Sequence, residues 1–208
     1  MNGTVHSALG AAAGFITANS LHSDPQATVF LVVVGGIAGL LPDVDVDGKL
    51  SNKITLSYKL IRPIAQLIGF LMILYSFFEG GSSEKWLGIS IGAGMIVLSS
   101  FLTQRRMLTV TGAGVLAGGI SLHESWLILL GIYIIIASFV AHRSYTHSIL
   151  GTLYFAAIAI RFQESIGVEG VFATCMLAYI SHLIADMKIL PFNKKGVKFF
   201  LPLSSKEF

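Results

Sequence analysis

The hydrophobic residues of this chain are gathered into eight long blocks, which short polar connections separate. Apolar blocks of about 15 to 20 residues are typical of helices that enter a lipid bilayer. They lack the apolar–polar alternation of transmembrane β-strands. Hydrophobic residues form 54% of the sequence and charged residues 12%, whereas soluble domains carry about 25% charged residues. The sequence therefore predicts an all-α fold, a polytopic transmembrane helical bundle.

The blocks define about eight apolar segments, some of them short. They cover Val5–Ser20, Ala27–Leu41, Leu60–Phe78, Trp86–Leu102, Met107–Leu122, Trp126–Ala141, Ser148–Arg161 and Val168–Met187. A spanning helix needs roughly 20 apolar residues, with a range of about 17 to 25. The shorter segments are therefore either extended by polar neighbours or re-entrant. We expect one membrane-embedded domain over residues 1–208, with a basic tail over residues 188–208.

The distribution of basic residues predicts the orientation in the membrane. If all eight segments cross, twelve of the fourteen Lys and Arg residues lie on the side of the two termini and two on the other. Cytoplasmic connections carry an excess of Lys and Arg. We therefore expect a multi-pass protein of a bacterial or archaeal cytoplasmic (inner) membrane, with both termini in the cytoplasm.

Three aspartates follow the second apolar segment, in the sequence LPDVDVDGK over residues 41–49. Asp43, Asp45 and Asp47 with Gly48 match the start of an EF-hand calcium loop, which requires a bidentate Glu at position 12. That position is Ile54, which cannot coordinate a cation, so the sequence argues against an EF-hand. A solvated acidic turn after Pro42 remains an alternative to a metal site.

Other metal-ligand residue types stand at segment ends on the same predicted side. They are His6, His142 and His147 in HRSYTHS, and His182 and Asp186 in SHLIAD. Residues four apart share one face of a helix, so His182 and Asp186 could bind a single ion. On a regular helix the side chains of His142 and His147 would point about 140° apart, so both can contact one ion only if the helix is broken between them. Ser148 or Thr146 is expected to cap the helix that follows.

Together these groups predict a site for one or two divalent ions. The predicted ligands are His6, Asp43, Asp45, His142, His147, His182 and Asp186. Imidazole and carboxylate ligands without thiolates suit zinc first, and manganese or iron(II) as alternatives. The only cysteine, Cys175, lies within an apolar block, so neither a disulfide framework nor a thiolate site is expected.

The ordered set of His6, LPDVD, HRSYTHS, HLIAD and GVKFFLP (196–202) resembles the YdjM-like family. Its members are described as LexA-binding, inner-membrane-associated proteins with a proposed metal-dependent hydrolase activity. The resemblance extends over residues 6 to about 202. It implies that the seven predicted ligands match the family's metal-binding positions, and that the protein is a bacterial or archaeal membrane protein. The sequence departs from the pattern at Ser144, where many relatives have Gly, and Asp47 is outside it.

A metal site at the membrane edge predicts a metal-dependent hydrolase, which cleaves a phosphoester of a lipid-linked or amphipathic substrate at the cytoplasmic face. In this hypothesis Asp45 or Asp186 is the general base, Arg143 grips the phosphate and Thr146 donates to the substrate or supports a histidine. The expected partners are the bilayer and the phosphorylated substrate, without nucleic acid. The alternatives are a metal-ion transporter and a regulatory membrane protein with a structural metal, which binds a partner protein on its cytoplasmic face.

Overall fold

The computed structural model describes residues 3–44, 58–79, 81–141, 144–188 and 196–208. In these ranges the chain forms eight α-helices and two short 3-10 turns, and it forms no β-strand. The helices are α1 (Gly3–Ser20), α2 (Pro25–Ala38), α3 (Tyr58–Glu79), α4 (Ser82–Ser100), α5 (Gln104–Ser121), α6 (Ser125–Ala137), α7 (Ile149–Ile166) and α8 (Val171–Ala185). The 3-10 turns are Leu41–Val44 and Tyr145–His147. The all-α class is confirmed, and each predicted apolar segment corresponds to one helix.

Fewer helices can cross a membrane than the sequence predicted. Among the described residues, Lys59–Phe78 and Ile149–Ile166 are long and apolar enough, and a third span is counted if residues 85–100 and 104–121 form one broken span. Helices α2, α6 and α8 have 14, 13 and 15 residues. At 1.5 Å per residue they reach about 20–23 Å, less than the bilayer core of about 30 Å. The expectation of about eight crossings is therefore wrong.

The difference arises because an apolar sequence does not have to remain helical. Helix α2 ends at Ala38, although the apolar sequence continues to Leu41. Leu41 already belongs to the 3-10 turn that carries Asp43. The orientation of the termini was deduced from eight crossings, so it stays a prediction.

The chain packs as two compact units, Met1–Ser51 with Leu108–Phe208, and Asn52–Met107. In the second unit, α3 and α4 form a hairpin with touching backbones. A Cβ atom on Gly92 would lie 2.5 Å from the Gly69 carbonyl oxygen, which is too close for any side chain. Small residues permit such contacts between helices in lipid. The prediction of a single domain over residues 1–208 stays a prediction.

In the first unit, glycines bring α1 and α2 into backbone contact. A Cβ atom on Gly10 would lie 2.1 Å from the carbonyl oxygen of Gly35, and one on Gly39 would lie 2.6 Å from that of His6. Only glycine leaves room for these approaches. The contact therefore places the start of α1 beside the end of α2, where the predicted ligands His6 and Asp43 are found.

Helix α8 is the centre of the first unit, where it packs against α1, α2 and α7. Its residues Val171, Ala178 and Tyr179 are completely buried. Gly167 and Gly170 adopt left-handed backbone conformations, which reverse the chain between α7 and α8. The start of α7 and the end of α8 consequently lie at the same end of the unit.

The C-terminal segment 196–208 is partly packed, although the sequence predicted a basic tail. The Val197 amide donates to the Phe208 carbonyl at 3.1 Å, and the Phe208 amide donates back at 3.0 Å. The Ile149 amide, at the start of α7, donates to the Phe199 carbonyl at 2.9 Å. Val197 is fully buried. This segment therefore supports the turn that carries His147.

Candidate metal centre

Asp43 is positioned by the abrupt end of α2. The helix closes at Gly39, whose amide donates to the Gly35 carbonyl, and Pro42 cannot continue a helical hydrogen-bond ladder because it has no amide hydrogen. The 3-10 turn Leu41–Val44 turns Asp43 inward, and only 3% of that residue is exposed. The solvated acidic turn that the sequence left open does not describe Asp43.

His147 reaches the same region from the connection between α6 and α7. It ends the 3-10 turn Tyr145–His147 and is completely buried. Ser148 follows as the N-cap of α7, where its hydroxyl accepts from the Gly151 amide at 3.2 Å. This cap fixes the chain direction directly after the histidine, as the sequence predicted for Ser148 or Thr146.

His182 and Asp186 come from the last turn of α8. His182 is fully buried, and Asp186, which caps the helix, is 2% exposed. Their spacing of four residues directs both side chains to one face, as predicted.

Four donor atoms from these three segments converge in one buried cluster. His147 Nε2 lies 3.3 Å from His182 Nε2, and Asp43 Oδ1 lies 3.7 and 3.6 Å from the same two nitrogens. Asp186 Oδ2 lies 3.9 and 3.8 Å from them. All four ligand atoms are within 4.8 Å of one another.

The spacing and charge of these donors fit a divalent cation. Tetrahedral ligands at about 2.0–2.2 Å from an ion lie about 3.3–3.6 Å apart, close to the 3.3–3.9 Å that separate each imidazole nitrogen from the other nitrogen and from the two carboxylate oxygens. Two carboxylates and two neutral imidazoles carry a charge of about −2, which is costly in a buried site unless it is compensated. A divalent cation compensates it fully. Asp43, His147, His182 and Asp186 could therefore hold a metal ion.

A backbone carbonyl orients His182. Its Nδ1 lies 2.7 Å from the Gly39 carbonyl oxygen, which can only accept a hydrogen bond. Nδ1 must therefore carry the proton, and the neutral ring then presents the Nε2 lone pair to the cluster. This is how histidine ligands are commonly held in metal sites.

A hydrogen-bond chain from two tyrosines supports His147. Its Nδ1 lies 3.1 Å from Thr146 Oγ1, and the Tyr179 hydroxyl donates to the Thr146 carbonyl. The Tyr133 hydroxyl lies 3.0 Å from that of Tyr179. Because the Tyr179 proton is donated to Thr146, Tyr133 must be the donor in this last contact. The chain connects α6 and α8 to the turn that carries His147.

We expect Tyr179→Phe to weaken metal binding by about 10-fold to 100-fold, the usual effect of removing a group that orients a ligand. The substitution leaves the Thr146 carbonyl without its hydroxyl donor and lets the turn shift. Affinity is measured by competition with a chromogenic chelator. Tyr154→Phe is the control, because it removes a comparable hydroxyl that donates to the Leu129 carbonyl at 3.1 Å. Equal affinities in both variants and the wild type would contradict a supporting role for Tyr179.

His6 borders the cluster from α1. Its Nε2 lies 3.3 Å from Asp186 Oδ1, whereas the histidines of the cluster lie near the other oxygen of that carboxylate, Oδ2. Its ring stacks on His182 with a centroid distance of 3.8 Å, and 1% of the residue is exposed. His6 therefore contacts two of the four residues, and its role as a ligand stays a prediction.

The remaining predicted residues have different outcomes. Asp45, His142 and Arg143 lie outside the described residues, so their roles as ligands, base or phosphate contact stay predictions. Thr146 is 3% exposed, and its hydroxyl lies beside His147 Nδ1. This contact favours the predicted support of a histidine over the predicted donation to the substrate. Sequence reasoning did not identify Gly39 or Tyr179. The one available signal was that Tyr179 stands three residues before His182, on the same face of α8.

Comparison with known families matches the whole chain, residues 1–208, to the YdjM inner membrane protein family. The chain belongs to this family. The membership confirms the resemblance seen in the ordered motifs, and it agrees with the apolar helices of the fold. Searches of curated proteins and of solved structures gave no match. The buried His and Asp cluster is thus a feature of a YdjM-family membrane protein, and its chemistry has to be argued from its own residues.

Proposed function

We propose that this YdjM-family protein is a metal-dependent hydrolase that cleaves a phosphoester of a lipid-linked or amphipathic substrate at the cytoplasmic face of the membrane. The observation that carries the proposal is the convergence of Asp43, His147, His182 and Asp186 within 4.8 Å. Buried ionisable residues among apolar helices are costly and usually mark function.

The position of the cluster in the chain supports an amphipathic substrate. His147 is two residues before Ile149, where a helix long enough to cross the membrane begins. A site at the end of a span lies near the boundary between hydrocarbon and head groups. A molecule with an apolar tail and a phosphorylated head occupies that depth in a bilayer.

The chemistry would use the cation and the residues around it. A divalent cation held by Asp43, His147, His182 and Asp186 would supply Lewis acidity, which makes water a stronger acid and polarises a phosphoryl oxygen. In the hydrolysis a water oxygen would form the new bond to phosphorus, the bond from phosphorus to the substrate oxygen would break, and the leaving alcohol would take up a proton. Asp45, or Asp186 acting as a base instead of a ligand, would accept the proton of the water, and Arg143 would hold the phosphate by paired hydrogen bonds.

The direct test is phosphate release by the purified protein in detergent, loaded in turn with zinc, manganese or iron(II). The substrates are n-octyl phosphate, phosphatidic acid and a polyprenyl phosphate. We expect release that chelation abolishes and that His182→Gln reduces by more than about 100-fold. His123→Asn is the control, because His123 is exposed and adopts a left-handed conformation that Asn tolerates. A folded, metal-loaded protein without activity on any substrate would contradict the proposal.

The deep burial of the cluster favours a second candidate, a structural metal in a regulatory membrane protein. All four ligand residues are at most 3% exposed, and four protein ligands complete a closed tetrahedral zinc site. The cobalt(II)-substituted protein separates the two functions. An open site would change its visible spectrum when inorganic phosphate binds, and a closed site would not.

A further inference from the structure

An apolar cavity of about 260 Å³ lies between α2, α6, α7 and α8 in the first unit. Its lining includes Val34, Leu41, Trp126, Phe155, Phe162 and Cys175. The thiol and the indole N–H are the only polar side-chain groups in the lining. A bound water needs two to four polar partners, which these walls do not offer. The cavity is therefore suited to hydrocarbon.

One end of the cavity lies at the end of α2, next to the chain segment that carries Asp43. Leu41 lines it and shares the four-residue 3-10 turn with Asp43. Ala38 also lines it and directly precedes Gly39, whose carbonyl orients His182. Along α2 the lining continues from Ala38 to Val34, four residues or about 6 Å at helical rise. The cavity thus runs from the end of α2, close in the chain to Asp43 and Gly39, into the apolar part of the unit.

We propose that this cavity receives a single alkyl chain of the substrate whose phosphorylated head lies at the metal centre. This inference rests on the proposed hydrolase function and specifies its substrate class. The volume lies below the range of about 300–1,000 Å³ for pockets that enclose drug-sized ligands. It suits one extended chain, and a bulky polycyclic group would not fit.

The cavity has a measurable consequence for substrate preference. Each methylene transferred from water to apolar surroundings favours binding by about fourfold. Activity with water-soluble alkyl phosphates should therefore increase with chain length until the cavity is filled. A substitution that fills the cavity should remove this increase and leave short-chain substrates unaffected.

The test compares kcat/KM for n-octyl phosphate and n-butyl phosphate in the metal-loaded protein. Ala159→Leu adds three carbons to a buried residue that lines the cavity. We expect it to lower the octyl-to-butyl ratio by at least about tenfold. Ala157→Leu, the same change at an exposed position of α7 that does not line this cavity, should leave the ratio unchanged. The two alkyl phosphates partition into detergent micelles to the same extent whichever of the three proteins is present. This partition therefore cancels when the octyl-to-butyl ratios of the three proteins are compared.

Binding of n-octylphosphonate, which cannot be hydrolysed, separates this inference from the proposed function. Binding that weakens in Ala159→Leu, without hydrolysis of any phosphate, would support the cavity and overturn the hydrolase. Hydrolysis with an unchanged octyl-to-butyl ratio in Ala159→Leu would support the hydrolase and overturn the cavity. Absence of both hydrolysis and binding would overturn both. If Ala159→Leu does not fold, Cys175→Met fills the same cavity from α8 and is judged by the same ratio.

Discussion

Replacing His182 with Ala is expected to abolish stoichiometric metal binding. His182 contributes Nε2 to the centre of the cluster, 3.3 Å from His147 and 3.6 Å from Asp43. Its loss removes one of the four candidate ligands and leaves the Gly39 carbonyl without the His182 donor. Affinity should fall by more than the roughly 10-fold to 100-fold that supporting residues contribute. Elemental analysis after purification in detergent measures the bound metal.

The same experiment with Asp43→Ala tests whether the end of α2 and the end of α8 serve one ion. We expect both variants to lose the metal, because the two residues belong to one cluster that could hold a metal ion. His182→Gln, which retains much of the side-chain volume, keeps the test valid if the alanine variant does not fold. His123→Asn should retain a full complement of metal. A folded wild-type protein that holds no metal after supplementation would contradict the metal site itself.

Removal of the metal is expected to destabilise the protein strongly. Without a cation, the buried carboxylates of Asp43 and Asp186 lie within 4.8 Å of each other, and like charges at that separation oppose ionisation of both groups. A ligand at one hundred to one thousand times its Kd stabilises the folded state by about 2.7–4.1 kcal/mol. Thermal unfolding with and without a chelator, followed by circular dichroism in detergent, should show a large fall in Tm that added metal reverses.

Asp43→Asn provides the matched variant for this measurement. It removes one of the two buried charges and nearly preserves the shape of the side chain. The chelated variant should therefore unfold at a higher temperature than the chelated wild type, although it gains little from added metal. A chelated wild-type protein as stable as the metal-loaded one would show that the cluster does not depend on a cation for its charge balance.

Much of this architecture could be predicted from the sequence because its causes are local. The apolar blocks predict helices, and each block corresponds to one helix. The spacing of His182 and Asp186 predicts a shared helix face, and Pro42 predicts the end of α2. The ordered motifs also identified the family. Helix length was less predictable, because an apolar residue such as Leu41 is equally compatible with a helix and with a turn.

The sequence by itself determined the all-helical class, the family and the three chain segments that carry the candidate ligands of the cluster. Only the tertiary structure decided which ligand atoms meet. Asp43 and His182 are 139 positions apart in the sequence, and nothing local to either residue specifies their distance of 3.6 Å. That distance depends on backbone contact between α1 and α2 at Gly10 and Gly35, and on the packing of α8 against both helices. Close packing between distant segments fixes it, because buried helices leave few alternative arrangements that avoid both clashes and cavities.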